Sequence, residues 1–185
     1  MSRSVWSNEK FAAFCMAALI ALSSAFGGVL SVNRLYARVE RAYELGEDGT
    51  GSFCIANDLS DNAAAAANLL TVAGRYLDPS DASVRALSEA LADLRAADGI
   101  AARQSANLKV TAAVQGLFDA LGAKALSADD ERYRQSLREN VLGNNDKMSR
   151  DPYNTLASEY NRKVAGFPAT VFRTLGGVPT AVLFR

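Results

Sequence analysis

Between Phe11 and Val32 the chain runs through 22 residues without an Asp, Glu, Lys or Arg. As a helix, a run of that length extends about 33 Å, matching the ~30 Å hydrocarbon core of a bilayer. A chain that begins this way is held at a membrane or exported across one. Two readings of the run compete. Ser23-Ser24-Ala25 ahead of Phe26-Gly27 resembles a small-residue signal cleavage site. The apolar stretch nevertheless continues through Val29, Leu30 and Val32, beyond the roughly 7–15 residues of a signal core. It then enters Asn33-Arg34-Leu35-Tyr36-Ala37-Arg38, an aromatic and basic cluster typical of a membrane interface. The retained anchor is therefore the favoured reading: a leader over residues 1–10 and a single-pass transmembrane helix over 11–32. Arg3 and Lys10 on one flank balance Arg34, Arg38 and Arg41 on the other. Charge bias thus leaves open which side holds the rest of the chain.

About 150 residues follow, enough for one domain with a real core. Twenty basic residues offset 20 acidic ones, so no charged stripe calls for nucleic acid. Histidine is absent, which removes the commonest general base, the commonest metal ligand and every Ser-His or Cys-His pair. Cys15 lies within the apolar run and Cys54 well beyond it, so both read as small apolar fillers rather than a bridge. No pattern points to a cofactor or a metal.

Helical spacing organises the remainder, and the alternating strand pattern is missing. Residues 33–51 form a juxtamembrane helix ending in a Gly-rich connector, Gly46 to Gly51. Ala56, Leu59, Ala63, Ala66, Leu70, Ala73 and Leu77 then recur at gaps of three and four, predicting a helix over 52–77 with one packed seam. Asp58, Asp61, Asn62, Asn68 and Arg75 fall on its other faces. Asp78-Pro79-Ser80-Asp81 stops that helix, with an Asp to cap the next and Pro79 suited to its first position. One long helix is expected over 80–125, with a shift of seam where Asp98, Gly99, Arg103, Gln104, Ser105 and Asn107 dilute the apolar pattern and a bend at Gly99. Val84, Leu87, Leu91 and Leu94 form its first stripe, and Val110, Val114, Leu117, Phe118 and Leu121 its last. Ser127 caps a final helix whose first turn is acidic. Tyr133, Leu137, Val141 and Met148 face inward, Gly143-Asn144-Asn145 weakens it, and Pro152 and Pro168 interrupt it. It ends at Gly176-Gly177, so the helical domain covers 52–177. Residues 178–185 form an apolar tail with two readings, contact with lipid or a partner and, favoured, packing back on its own domain. The expected fold is all-α: an N-terminal transmembrane helix, then an antiparallel bundle of three to four long helices.

The most specific local pattern is Tyr153-Asn154, Tyr160-Asn161 and Phe167-Pro168, each pair seven residues after the last. Period seven returns to nearly the same helix face. The rings should stack along one seam, with the Asn amides in a row beside them. On these residues the chain resembles the LemA family of bacterial membrane proteins. The resemblance implies a single N-terminal anchor and a long-helix bundle. The motif of the last helix falls here on Arg150, Tyr153, Asn154, Tyr160, Asn161, Phe167 and Pro168, positions that read as structural. Gly51 to Ile55 lacks the Pro of the family's bundle entry, and Pro152 is extra, so the member is divergent. The resemblance implies a membrane-tethered scaffold and transfers no enzymatic activity.

Three classes of function follow. The first is a non-enzymatic scaffold or interaction protein in the lipid bilayer that engages a protein partner or a second copy of itself. The alternative is a sensory or small-ligand-binding bundle, with Asp98 to Asn107 facing Asn144, Asn145 and Lys147 at the place to look. An enzyme is the least favoured. Asp129-Asp130-Glu131 sits at a helix start, where negative charge is stabilising for local reasons, and a di-iron bundle needs histidine.

Overall fold

A computed structural model describes residues 3–47 and 49–184. Met1, Ser2 and the side chains of residues 3–8, Asp48 of the connector and Arg185 of the tail lie outside the described residues. The described residues are all-helical and contain no strand. Their helices are α1 (Arg3–Leu45), α2 (Ile55–Ala73), α3 (Ala82–Ala96), α4 (Gly99–Gly122), α5 (Ala128–Arg150), α6 (Pro152–Ala165) and α7 (Ala169–Leu175). They form two compact units, one of α1 as far as Arg38 with Glu159–Thr180, the other of Val39–Ser158 with the residues from Ala181 onward.

In the second unit α2 packs against α3, α4 and α5, and α4 also meets α3 and α5. The bundle core holds Ala66, Leu69 and Ala73 of α2, Leu87 and Leu91 of α3, Val110, Leu117 and Leu121 of α4, and Val141 of α5. Ala65, Ala66 and Ala73 on the buried α2 face let neighbouring backbones approach closely. That face is wider than the expected seam. Ile55, Asn62, Ala65, Leu69 and Val72 are buried along with Leu59, Ala66 and Ala73.

The expected helix over 80–125 is two helices. It breaks at Ala97-Asp98, and Gly99 restarts it at φ +77°, a backbone region that costs a side-chain-bearing residue energy. The Lys109 ammonium returns to within 2.7 Å of the Asp93 carboxylate, so α3 and α4 fold back as a hairpin. The break explains the diluted apolar pattern there, which marks a corner instead of a shift of seam. Pro79 also differs from expectation. It sits in the turn before α3, and Asp81 is the cap, accepting from the Ser83 N–H at 2.9 Å.

The expected helix from 127 onward is three helices. Ser127 caps α5 through the Asp130 N–H, as its position predicts. Gly143-Asn144-Asn145 does not weaken α5, which passes through all three. Breaks come instead before Pro152 and around Pro168, since proline removes an amide donor and crowds the preceding turn. Tyr133 is 62% exposed and does not face inward, whereas Val141 and Met148 do.

The first unit contains the apolar run. Helix Glu9–Leu45 is long and apolar enough to cross a membrane, and none of its most apolar 18-residue window is buried in the protein. Phe14 is 71% exposed, with Phe11, Leu19, Ile20, Leu22 and Phe26 similarly bare. Cover begins with α7, where the Phe172 ring sits on Gly28.

Candidate functional site

Two features of the second unit could carry function, and the Tyr-Asn motif has a separate task. Within α6 the motif clamps the tail. Tyr153 is 1% exposed and its hydroxyl donates to the Val182 carbonyl at 2.8 Å. Asn154 works in two directions. Its Nδ2 donates to the Met148 and Ser149 carbonyls at the end of α5, where Met148 accepts only a long bond from the Asp151 N–H and Pro152 has no N–H to offer. Its Oδ1 accepts from the Phe184 N–H at 2.7 Å. The Phe184 ring is 4% exposed and meets both Tyr43 and Tyr153 at about 6 Å between ring centres. In the first unit Tyr160 donates to the Pro179 carbonyl at 2.9 Å and packs on Tyr36. The tail therefore folds back as expected. Phe167 departs from the expected stack: it lies beyond the end of α6 and is 87% exposed. Pro168 is exposed beside it, ahead of α7. Arg150 is also exposed, paired with Asp146, and Asn161 is half-buried.

The first candidate feature is an amide cluster at mid-bundle. Asn62 of α2 is fully buried, and its Nδ2 donates to Asn107 Oδ1 at 2.9 Å and to Asn145 Oδ1 at 3.0 Å. Asn107 Nδ2 donates to the same Asn145 oxygen at 2.9 Å. Asn144 Nδ2 donates to Asn62 Oδ1 at 3.1 Å, and Asn145 Nδ2 to Thr111 Oγ1 at 2.8 Å. Lys147 reaches Asn144 Oδ1 at 3.3 Å. Asn107, Asn144, Asn145 and Lys147 thus come together as the sequence suggests. Asn62 joins them, contrary to its expected placement on another face. Its position three residues after Leu59 and four before Ala66 is the signal that would have found it. The amides satisfy one another, so the cluster joins three helices in one register. It borders a cavity of about 100 Å³ that also touches Gln104, Met148 and Phe184.

The second feature is a half-open cleft of about 390 Å³. Ala56, Leu59, Ala63, Ala64 and Leu94 form its apolar wall, and Ser60, Arg95 and Arg103 supply polar groups. Tyr43 backs it, 2% exposed, with a buried hydroxyl that makes no hydrogen bond among the described residues. Arg103 lies close enough to act on that hydroxyl electrostatically, but without the geometry of a bond. Burial pushes the Tyr43 pKa up and Arg103 works against it, so the hydroxyl stays a neutral donor at physiological pH. Neither arginine forms an ion pair among the described residues, though Arg103 makes a long contact, 3.4 Å, to the Ala97 carbonyl. Such an arrangement can receive an oxyanion on the guanidinium side while apolar matter lies on the alanines.

A third polar cluster serves the fold. Asp130 is 3% exposed and accepts from Tyr76 at 2.5 Å, Arg75 at 2.6 Å and Ser127 at 3.1 Å. The Tyr76 hydroxyl is the main cause holding its carboxyl below the usual range, helped by Ser127 and Arg75. Beside it Arg134 grips Glu131 with two bonds of 2.7 Å, donates to the Phe118 carbonyl and lies 3.9 Å over the Phe118 ring. These groups close the corner between α4 and α5.

No family model, curated protein or solved structure matches the chain. Among the described residues no three His, Cys, Asp or Glu side chains gather as a metal site.

Proposed function

We propose that this protein is a single-pass, membrane-anchored helical scaffold or interaction protein, a divergent relative of the LemA type, and that it performs no chemistry of its own. The carrying observation is the bare apolar window of α1: large side chains from Phe11 to Phe26 stand more than half exposed on a helix long enough to span a bilayer. Burying that surface in lipid removes the large cost of holding it in water. Support for the LemA reading comes from Tyr153, Asn154 and Tyr160, whose side chains all secure the residues after Gly177. That is a structural task a family motif in a last helix would perform. Cross-linking in native membranes tests the scaffold role. Discrete adducts with a second copy or one defined protein are expected, and recovery of monomer alone counts against it.

The cleft beside Tyr43 favours a second reading, a bundle that senses a small organic anion. An oxyanion would meet Arg95 and Arg103, and a short aliphatic chain would lie along Ala56, Ala63, Ala64 and Leu94. Thermal unfolding with butyrate, hexanoate and inorganic phosphate in turn is the test. Stabilisation by hexanoate that Arg103→Gln removes supports the reading; identical curves with all three oppose it.

A further inference from the structure

The short helix α7 leaves an apolar stripe without a partner in the protein. Phe167 is 87% exposed, Val171 43% and Leu175 67%. Val171 and Leu175 stand four residues apart and share one side of α7, and Phe167 is bare in the turn leading into it. The adjoining side is fixed. Phe172 lies so close to Gly28 that a Cβ there would fall 2.4 Å from the ring, and a Cβ on Gly176 would fall 2.9 Å from Val29 Cγ1. Only glycine admits approaches this close. The stripe is thus held against α1 at a defined height.

That height is inside the apolar run. Gly28 lies 17 residues after Phe11, about 26 Å along the helix at 1.5 Å per residue. This places it just within one edge of a ~30 Å hydrocarbon core if the span starts at Phe11. On α1, Leu22 and Phe26 are each 67% exposed and Leu30 39%, so apolar surface continues from the span to the level of α7. Past it, in the same unit, Arg34 and Arg38 of α1 and Arg162 and Lys163 of α6 are exposed. Basic residues just beyond an apolar edge are suited to phospholipid headgroups.

We propose that Phe167, Val171 and Leu175 insert into the outer edge of the bilayer's hydrocarbon region, making α7 a second, interfacial membrane contact beside the anchor. The occupant of the stripe is lipid. Continuity with the bare face of α1 argues for lipid over protein, as does the seating of α7 on residues of the spanning run. A helix lying in the interface buries one apolar face into the boundary between headgroups and acyl chains. With two contacts the anchor loses its freedom to rotate about its own axis, so the first unit meets the membrane in one orientation.

The inference rests on the anchor reading, and the experiment separates the two. The chain has one tryptophan, Trp6. In a full-length Trp6→Phe background, single replacements Phe167→Trp, Leu175→Trp, Ile20→Trp and Leu108→Trp report four positions. Phe167 and Leu175 make little internal contact, so tryptophan there leaves the packing intact. Each protein is reconstituted in phosphatidylcholine–phosphatidylglycerol vesicles with and without acyl-brominated phosphatidylcholine. Ile20→Trp marks the span and Leu108→Trp, on the exposed side of α4, the water-exposed bundle. The expected result is blue-shifted emission and bromine quenching at 167 and 175, at least half that at 20 and several-fold above that at 108. Quenching at 20 with none at 167 and 175 overturns the inference and leaves the anchor standing. A blue shift at 167 without bromine quenching assigns the stripe to protein and overturns it too. No quenching at position 20 removes the anchor and the inference together.

Discussion

Asn62 shows how much one side chain can decide. It is a polar residue at a fully buried position, and it is tolerated because Asn107, Asn144 and Asn145 complete its hydrogen bonds. Removing it leaves those three amides short of partners in a dry core. Each unpaired buried group costs on the order of 1–3 kcal/mol, so Asn62→Ala should destabilise the fold by about 2–4 kcal/mol in urea titrations in non-ionic detergent. A loss below about 0.5 kcal/mol would mean that water already shares the site. Asp130 gives a pH signature. Its carboxyl is held below the usual range, so its contribution is present above about pH 4, where the unfolded carboxyl is ionised. That contribution is lost as the pH falls through the lower folded value. The stability gap between wild type and Asp130→Asn should therefore be widest near neutrality and close on acidification. Asp58 and Asp151 are pushed up by burial and act with the opposite sign, but they are common to both proteins and cancel in the comparison. A gap independent of pH would contradict the assignment.

Among the elements, the tail and the hairpin carry most of the specificity. Phe184 fills the space between Tyr43 and Tyr153, so Phe184→Ala removes a buried ring at a cost of about 3 kcal/mol. Tyr153→Phe keeps the ring and loses the hydroxyl's bond to Val182, about 1 kcal/mol. Unfolding midpoints in the same detergent would rank the two, and the reverse order would show that the hydroxyl dominates over the ring. Element boundaries were the least legible part of the sequence. Spacing of Leu87, Leu91, Val110 and Leu117 identified core faces, because a helix packed along one side needs an apolar stripe at that period. Gly99 signalled a bend, but the full reversal at Ala97-Asp98 depends on Leu87 and Leu91 of α3 sharing a core with Val110 and Leu117 of α4, packing across the turn that no local pattern encodes. Tyr133 looked like part of the α5 stripe by spacing alone. Tertiary packing decided otherwise.

For the whole molecule, composition and the first 45 residues say more than any site. The apolar run and the all-helical body were both legible, since each depends on periodicity or length. The cleft was not. Tyr43 lies on a helical row with Tyr36 and Val39 that could have marked it as a packed face, but Arg95 and Arg103 sit on either side of the hairpin turn and are brought to one wall only by its reversal. The proposed anchor requires that α1 remain in the bilayer as part of the mature chain and hold the bundle there. Alkaline carbonate extraction of host membranes, followed by intact-mass measurement of the retained protein, tests it most directly. The expected result is a chain that stays in the pellet at a mass including Phe11 to Val32. Release into the supernatant, or a mass beginning after Ala25, would contradict it.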